Sequence, residues 1–279
     1  MGWERHEGVV VRRPWRLAAR TQPSSCARDR RLAVTQAVPA PNTIELWFAS
    51  TSSFGDSDGV EDQWPLSPDE RARVGQFRFE ADRRAFVLGK RMARVLLGRA
   101  LERPPETLVF AAGATAKPQL VESGVASGVT FNVAHSGTEL VCAIASGRPV
   151  GVDIESERDD LDLVALARRF FCAGEIRQLE TSPPDRARQL FFRYWTLKEA
   201  YLKAEGSGLR LDLAAVDVSG VPDSLHAAPC RPVEDRPRGL LVQLIEAPFG
   251  YAAAVASSYP PWTTTRRTWR AADIGRTRS

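Results

Sequence analysis

Hydrophobic and polar residues alternate in some stretches of the chain and recur every three or four residues in others. Strict alternation through Ile44, Leu46 and Phe48 predicts a strand over residues 42–50. The longer period predicts an amphipathic helix over residues 186–205. The same patterns predict further strands at 129–134, 139–146, 150–155, 214–218, 240–246 and 250–257, and further helices at 67–102 with one break, 161–171 and 174–181. The chain therefore mixes helices with strands.

Local signals mark the ends of the predicted helices. Ser67 can cap a helix N-terminus, Pro68 suits the first turn, and Glu70 completes a capping box. Prolines at 104–105 stop the first helical region, because proline has no N–H for a helical hydrogen bond. A Gly-Ser-Gly sequence at 206–208 ends the last long helix.

Composition limits the class of protein. The 279 residues are 43% hydrophobic and 26% charged, which is ordinary for a globular protein. No stretch approaches the ~20 apolar residues of a membrane-spanning helix, and no apolar run follows the N-terminal basic residues as in a secretory signal. We therefore expect a cytoplasmic protein with no membrane partner. Its cysteines are expected to be reduced thiols: Cys26, Cys142, Cys172 and Cys230.

The net charge of +4 resides at the two ends of the chain. Residues 1–40 hold eight arginines against three acidic residues, and residues 261–279 hold five arginines against one. The part between them carries 25 basic and 30 acidic residues. A nucleic-acid site needs a basic patch on a folded face, so we expect no nucleic-acid partner. The ends are predicted to be a disordered N-terminal extension and a basic C-terminal tail.

Two acidic residues share one face of a predicted strand. Asp153 and Glu155 are two positions apart in Gly-Val-Asp-Ile-Glu, so their side chains project together, roughly 6.6 Å apart along the strand. Their mutual repulsion would be removed by a hard divalent cation, which prefers carboxylate oxygens. Taken alone, the pattern is better explained as an exposed strand face that carries two acids.

A third acidic residue lies beside a lysine on the predicted helix at 186–205. Glu199 and Lys203 are one turn apart, and Trp195 precedes Glu199 by one turn on the same side. A surface ion pair is one explanation. The tryptophan favours a partly buried stripe instead, in which the carboxylate contributes to a metal site and the ammonium neutralises phosphate oxygens.

Basic side chains elsewhere could hold phosphate groups. His135 lies where a predicted strand meets turn-forming residues, and it can donate a hydrogen bond to a phosphate. Lys117 is one of only four lysines, and Pro118 favours an extended conformation for it. The first long helical region carries several arginines, among them Arg73 and Arg84. Each of these residues taken alone is at least as well explained as an ordinary surface side chain.

Together and in this order, the motifs resemble the 4'-phosphopantetheinyl transferase superfamily. They are most similar to its larger monomeric type, which modifies peptide and polyketide synthases. The resemblance covers roughly residues 43–257, and its strongest motifs are Gly-Val-Asp-Ile-Glu at 151–155 and Trp-Thr-Leu-Lys-Glu-Ala-Tyr-Leu-Lys at 195–203. The two motifs with their spacing are much more specific than either alone. The sequences at 132–137 and 117–118 support them.

The resemblance implies an α+β fold built as a pseudo-dimer. Two similar α/β halves, here residues 41–145 and 146–260, would enclose the active site and coenzyme A in the cleft between them. It also implies a monomeric, Mg²⁺-dependent enzyme. The reaction would move the 4'-phosphopantetheine group from coenzyme A to a serine of an apo acyl or peptidyl carrier protein and release 3',5'-ADP.

The matching motif positions carry the family's site residues onto this chain. The Mg²⁺ ligands would be Asp153, Glu155 and Glu199. Glu199 would also take the proton from the carrier serine, directly or through a water, and Lys203 would stabilise the departing 3',5'-ADP. The coenzyme A site would comprise Arg73, Arg84, Lys117 and His135. The sequence departs from the family at Ala134, where serine is common, and at Ala116, where glycine is common.

Two other classes of function fit parts of the pattern. A metal-dependent phosphohydrolase could use the same carboxylates with water as the nucleophile. Two-metal hydrolases normally present more histidine and aspartate ligands, however, and the chain has three histidines. A non-enzymatic nucleic-acid-binding protein would depend on its arginine-rich ends. Removal of residues 1–40 and 261–279 would then abolish its function, whereas a transferase core would stay active.

Overall fold

The structure is a computed structural model, and it describes only part of the chain. The described residues are 38–54, 66–112, 118–122, 125–126, 128–206, 213–221, 231–232, 239–258, 260–270 and 273. Most of the predicted extension at 1–40 lies outside the described residues, and so does Lys117.

Helices and strands follow one another along the described chain. The helices are α1 (Pro68–Val74), α2 (Glu80–Ala100), α3 (Leu163–Phe170), α4 (Ala173–Glu180) and α5 (Pro184–Glu205). The strands are β1 (Thr43–Ser50), β2 (Val109–Ala112), β3 (Pro118–Glu122), β4 (Val125–Ala126), β5 (Val129–Ser136), β6 (Glu139–Ser146), β7 (Val150–Ser156), β8 (Arg231–Pro232), β9 (Leu240–Leu244), β10 (Tyr251–Ser258) and β11 (Thr263–Thr268). The mixture of helices and strands is confirmed.

The strands form three sheets, and the two larger ones meet along β5 and β7. The orders are β11-β1-β6-β5, β7-β10-β9-β8 and β2-β3-β4. Strands β1 and β11 run parallel, whereas β5–β6 and β7–β10 are antiparallel. Side chains of β5 accept hydrogen bonds from the backbone of β7: Asn132 Oδ1 from the Val152 N–H at 2.9 Å, and Ser136 Oγ from the Ser156 N–H at 3.1 Å.

Helix α5 lies directly on the second large sheet because Gly151 has no side chain. A Cβ added to Gly151 would stand 2.2 Å from the carbonyl oxygen of Ala200 and 2.3 Å from the backbone nitrogen of Ala204. These separations are too short for any side chain. The backbones of β7 and α5 are therefore in contact, which sets the distance between the groups that the two elements carry.

Apolar side chains of the described residues pack into three clusters. The first lies between helices α3, α4 and α5 and strands β9 and β10. The second lies between α2 and the first sheet, and the third joins β1 and β6 to β7 and β10. The third cluster is therefore the one that both large sheets share. None of the described helices is long and apolar enough to cross a membrane.

Several predicted helix boundaries are confirmed. The capping box of α1 is formed, with Ser67 Oγ accepting from the Glu70 N–H at 3.2 Å and Glu70 Oε2 accepting from the Ser67 N–H at 2.8 Å. Arg94 of α2 donates to the same Glu70 oxygen at 2.8 Å, which joins the two helices. At the end of α5, Gly206 has φ of 81°, a left-handed conformation that favours glycine.

The predicted strand at 214–218 is wrong. A single 3-10 turn at Leu213–Ala215 begins the segment instead. The ammonium of Lys198 donates to the carbonyl oxygens of Leu213 at 2.9 Å and Val216 at 2.6 Å. A buried side chain therefore satisfies backbone groups that a neighbouring strand would otherwise have to pair.

The prediction of a basic tail at 261–279 is wrong for its first part. Residues Thr263–Thr268 form β11, an edge strand paired with β1. Trp269 is buried, its ring stacks on Phe54 with centroids 5.3 Å apart, and its backbone N–H donates to the Phe48 carbonyl at 2.7 Å. The Thr- and Arg-rich strand lacks apolar alternation because nearly all its side chains face solvent.

Candidate active site

Strand β7 and helix α5 bring together residues that are fifty positions apart. The Lys203 Nζ atom lies 2.6 Å from Asp153 Oδ1 and donates a hydrogen bond to it. The Asp153 side chain is only 5% exposed, whereas that of Lys203 is 29% exposed. The close contact of the two backbones at Gly151 permits this short ion pair, since Asp153 follows two residues later on the same face of β7.

Two more carboxylates act on Asp153. Burial raises the pKa of Asp153 to about 7, the charge and hydrogen bond of Lys203 oppose that rise, and the charges of Glu155 and Glu199 add to it. The pKa of Glu199 is raised as well, chiefly by burial, with Lys203 lowering it and Glu155 raising it. Three acidic groups and one ammonium therefore act on one another electrostatically.

The donor set suits a hard divalent cation. Asp153 Oδ2 is buried and has no hydrogen-bond partner among the described residues. A buried carboxylate oxygen without a donor is costly, and a cation removes that cost. Asp153, Glu155 and Glu199 offer only oxygen atoms, which Mg²⁺ prefers, and Lys203 compensates just one of the three negative charges. The residues present therefore fit a bound Mg²⁺.

Ser136 holds Glu155 from the neighbouring strand. Its hydroxyl donates to Glu155 Oε2 at 2.8 Å and accepts from the Ser156 N–H at 3.1 Å. Sequence reasoning did not single out Ser136, although it directly follows His135. Its role depends on the contact between β5 and β7, which no local pattern reveals.

His135 at the end of β5 faces the same group of charges. The residue is solvent-exposed as a whole. Partial burial of the ring nevertheless lowers the pKa of its imidazole; Asp82 raises that pKa, Lys203 lowers it and Glu155 raises it. The imidazole therefore lies within electrostatic range of α2, β7 and α5, on the side of the site where β5 ends.

No described contact brings the other basic residues of the predicted coenzyme A site to the acidic group. Arg73 lies on the exposed surface of α1. Arg84 is half-buried, and its Nη2 donates to the Phe54 carbonyl at 2.6 Å, so part of its guanidinium supports a turn. Lys117 lies outside the described residues. The roles of these three residues in binding coenzyme A stay predictions.

A second buried ion pair stands next to the site, and sequence reasoning missed it. The side chains of Lys198 and Glu175 are both fully buried, with Nζ 2.8 Å from Oε2. The oxygens of Glu175 also accept from the N–H groups of Cys172 at 3.0 Å and Val218 at 2.9 Å. Lys198 directly precedes Glu199, so this network holds α5 in place immediately beside the site.

The oxygens of Glu175 already have donors. Its side chain, the Cys172 thiol and the Asp217 carboxylate place ligand atoms within 4.8 Å of one another. The Lys198 ammonium already compensates Glu175 within this group. The network therefore has the character of a structural anchor rather than that of a second metal site.

Two family models match this chain, each over a different region. Residues 149–235 match the family model described as "4'-phosphopantetheinyl transferase superfamily". Residues 63–147 match the model described as "4'-phosphopantetheinyl transferase, N-terminal". The two matches meet between β6 and β7. The site residues of β7 and α5 fall within the match at residues 149–235.

Individual relatives carry the same family name. The chain is 41% identical over 144 residues to 4'-phosphopantetheinyl transferase HetI of Nostoc sp., covering 52% of this chain and 61% of HetI. It is 34% identical to 4'-phosphopantetheinyl transferase psf-1 of Bacillus pumilus, covering 59% of this chain and 71% of psf-1. It is 28% identical to 4'-phosphopantetheinyl transferase Sfp of Bacillus subtilis, covering 70% of this chain and 83% of Sfp.

The matched regions leave part of some relatives uncovered. The chain spans only about three fifths of HetI, 61% of its length. Among solved structures, the holo-[acyl-carrier-protein] synthase of Thermotoga maritima aligns with a TM-score of 0.30 and 23% identity, over 39% of this chain and 61% of that one. Two family models and the match to psf-1 establish that the chain belongs to the 4'-phosphopantetheinyl transferase superfamily, in its larger, Sfp-like type.

Proposed function

We propose that this protein transfers the 4'-phosphopantetheine group of coenzyme A to a serine of an apo acyl or peptidyl carrier protein. The observation that carries the proposal is the 2.6 Å ion pair between Lys203 and the buried Asp153, on which the charges of Glu155 and Glu199 also act. Family membership supports the same reaction. The named relatives are all transferases, so a phosphohydrolase that uses water as nucleophile is not favoured.

Asp153, Glu155 and Glu199 would hold Mg²⁺, which when bound would neutralise charge on the pyrophosphate of coenzyme A. Lys203 adds a positive charge at the same place and is oriented by its hydrogen bond to Asp153. In our proposal it stabilises the 3',5'-ADP that leaves. Ser136 keeps one oxygen of Glu155 occupied, which orients that carboxylate.

Glu199 is proposed to act as the general base. Its raised pKa brings its proton affinity closer to the working pH, as an efficient base requires. It takes the proton from the carrier serine while the serine oxygen forms a bond to the phosphorus next to the pantetheine arm. The bond between that phosphorus and 3',5'-ADP breaks. The nucleophile is on the partner protein, so no serine of this chain need react.

His135, Arg73, Arg84 and Lys117 are proposed to bind the adenosine part of coenzyme A and its 3'-phosphate. The position of His135 beside both the acidic group and α2 supports a place for the nucleotide along the end of β5. Ala134 replaces a serine that is common in the family, so one hydroxyl contact to the nucleotide is missing. We expect weaker coenzyme A binding as the consequence, with catalysis retained.

The larger organisation is proposed to be a pseudo-dimer of residues 41–145 and 146–260, acting as a monomer in the cytoplasm. Two four-stranded sheets that meet along β5 and β7 support this arrangement. So do the two family models, one for each half. All proposed site residues come from one chain, so the site needs no second copy. Neither nucleic acid nor a membrane takes part.

The test is to incubate the full chain with coenzyme A, Mg²⁺ and several purified apo carrier proteins, and to weigh the carriers by mass spectrometry. We expect one carrier to gain the mass of a single phosphopantetheine group, with 3',5'-ADP as co-product. Omission of Mg²⁺ or addition of EDTA should abolish the gain. If every carrier keeps its mass while free phosphopantetheine accumulates, the phosphohydrolase alternative replaces the proposal.

A further inference from the structure

The turn between β9 and β10 exposes a phenylalanine completely. Phe249 has a relative exposure of 105%, whereas the other exposed large apolar side chains of the described residues range from 38% to 61%. Large aromatic side chains are normally buried at least in part. A ring that gains nothing from the protein's own interior has its full apolar surface available to a partner.

The turn that presents Phe249 is tightly held. The Tyr251 N–H donates to the Pro248 carbonyl at 3.1 Å across the turn, and the Gly250 carbonyl accepts from the Glu157 N–H at 2.8 Å. Gly250 has φ of 79°, which the turn requires and glycine permits. The backbone from which the ring projects is therefore held in place.

That position lies beside the candidate site. Tyr251 and Ala252 of β10 pair with Ser156 and Glu155 of β7, so Phe249, two residues before Tyr251, lies in the turn at this end of the two strands. The Tyr251 hydroxyl lies 3.4 Å from both the backbone nitrogen and the Oγ1 of Thr138. The turn thus touches the end of β7, which carries Glu155, and the turn after β5, which carries His135.

We propose that Phe249 is an aromatic anchor of the surface that docks the carrier protein. The proposal rests on the proposed function, because a transferase acting on a serine of another protein must bring that protein's surface against the rim of its site. A folded carrier domain of 100 residues has a radius of gyration of about 13 Å, so the surface around its serine extends past the site onto neighbouring turns. The partner would present an apolar patch next to its serine.

Interface energetics supports a role for this residue rather than for its polar neighbours. Aromatic side chains are enriched among the few residues that dominate protein–protein binding, and they act by filling apolar depressions on the partner. A turn whose backbone is already held adds to this, because that backbone loses little conformational freedom on docking. The other exposed apolar side chains, such as Val109 on β2, lie on different elements.

The test compares steady-state constants of the full-length wild type and the Phe249→Ala variant, with an apo carrier that the wild type modifies. We expect the KM for the carrier to rise about 10- to 100-fold, while the kcat and the KM for coenzyme A stay unchanged. Phe249→Leu should give an intermediate KM and Phe249→Asp a higher one, because the contact is apolar. The exposed ring has no core packing to lose, so all variants should keep the wild-type melting temperature.

Val109→Ala is the matched control, since it also truncates an exposed apolar side chain and should leave every constant unchanged. A carrier KM for Phe249→Ala within twofold of the control would overturn the docking role and leave the proposed function standing. A KM for coenzyme A that rises in step with the carrier KM would also overturn it. A wild type that modifies no carrier would remove the proposed function, and the docking role with it.

Discussion

The hydroxyl of Ser136 donates a 2.8 Å hydrogen bond to Glu155 and so links the end of β5 to the carboxylate cluster on β7. The same oxygen accepts the Ser156 N–H, so its orientation is set from both sides. A residue from one large sheet thereby orients a proposed metal ligand of the other. Side chains that hold metal ligands in this way influence metal affinity nearly as strongly as the ligands do.

Ser136→Ala is expected to weaken Mg²⁺ binding by about 10- to 100-fold, because Glu155 loses the donor that orients it. The Mg²⁺ concentration that gives half-maximal turnover measures this, and so does calorimetric titration of Mg²⁺ into the protein with coenzyme A and no carrier. Ser136→Thr keeps the hydroxyl and should bind Mg²⁺ like the wild type. An unchanged Mg²⁺ midpoint in Ser136→Ala would show that Glu155 does not depend on this bond.

Glu199→Gln is expected to keep the fold and to lose roughly 10²–10⁴-fold in kcat, because an amide cannot accept the serine proton. Single-turnover mass spectrometry of the carrier measures the rate, and circular dichroism checks the fold. Glu180→Gln, on the exposed end of α4, is the control and should turn over normally. Near-normal turnover of Glu199→Gln would remove the residue from its role as base.

Gly151→Ala is expected to lower the free energy of unfolding by about 1–3 kcal/mol or more, because the new methyl group collides with the backbone of α5. It should also separate Asp153 from Lys203 and reduce turnover. Urea denaturation measures the stability. Gly220→Ala is the control, since a Cβ there would meet no atom within 4 Å. Equal stabilities of the two variants would argue against the close contact of β7 and α5.

Lys198→Met is expected to lower the free energy of unfolding by about 3–5 kcal/mol, because it leaves the buried Glu175 charge without its partner. The double variant Lys198→Met/Glu175→Leu should recover part of that loss. Lys90→Met serves as the comparison. Its ion pair with Glu70 is longer, at 3.5 Å, and its side chain is 25% exposed, so about 1 kcal/mol or less is expected. Denaturant unfolding of the wild type and the three variants measures these differences. A double variant less stable than Lys198→Met would contradict the role of Lys198 as the partner of the buried Glu175 charge.

Much of the local structure was predictable because its causes lie within a few residues. Ser67 and Glu70 satisfy each other's backbone groups inside one helical turn, so the capping box could be identified from spacing alone. The alternation in β7 likewise placed Asp153 and Glu155 on one face. The two motifs at 151–155 and 195–203 pointed to the family, which the comparisons confirm.

Segments that are held by residues far away in the sequence were predicted wrongly or missed. The segment at 214–218 has the composition of a strand, but the buried Lys198 ammonium donates hydrogen bonds to the carbonyl oxygens of Leu213 and Val216. Strand β11 has the composition of a solvated tail, but Trp269 anchors it in the core beside Phe54. Neither outcome follows from the segment itself, because the partner in each case lies elsewhere in the chain.

For the candidate site, the sequence by itself determined which chemical groups are available: two carboxylates on one strand face, and a third carboxylate one helical turn from a lysine. Only the tertiary structure decided that these groups meet, that Ser136 orients Glu155, and that Phe249 stands exposed in the turn before β10. The physical reason is that periodicity and capping depend on neighbouring residues. The distance between β7 and α5 depends instead on how closely two backbones can pack, which is set by the missing side chain of Gly151.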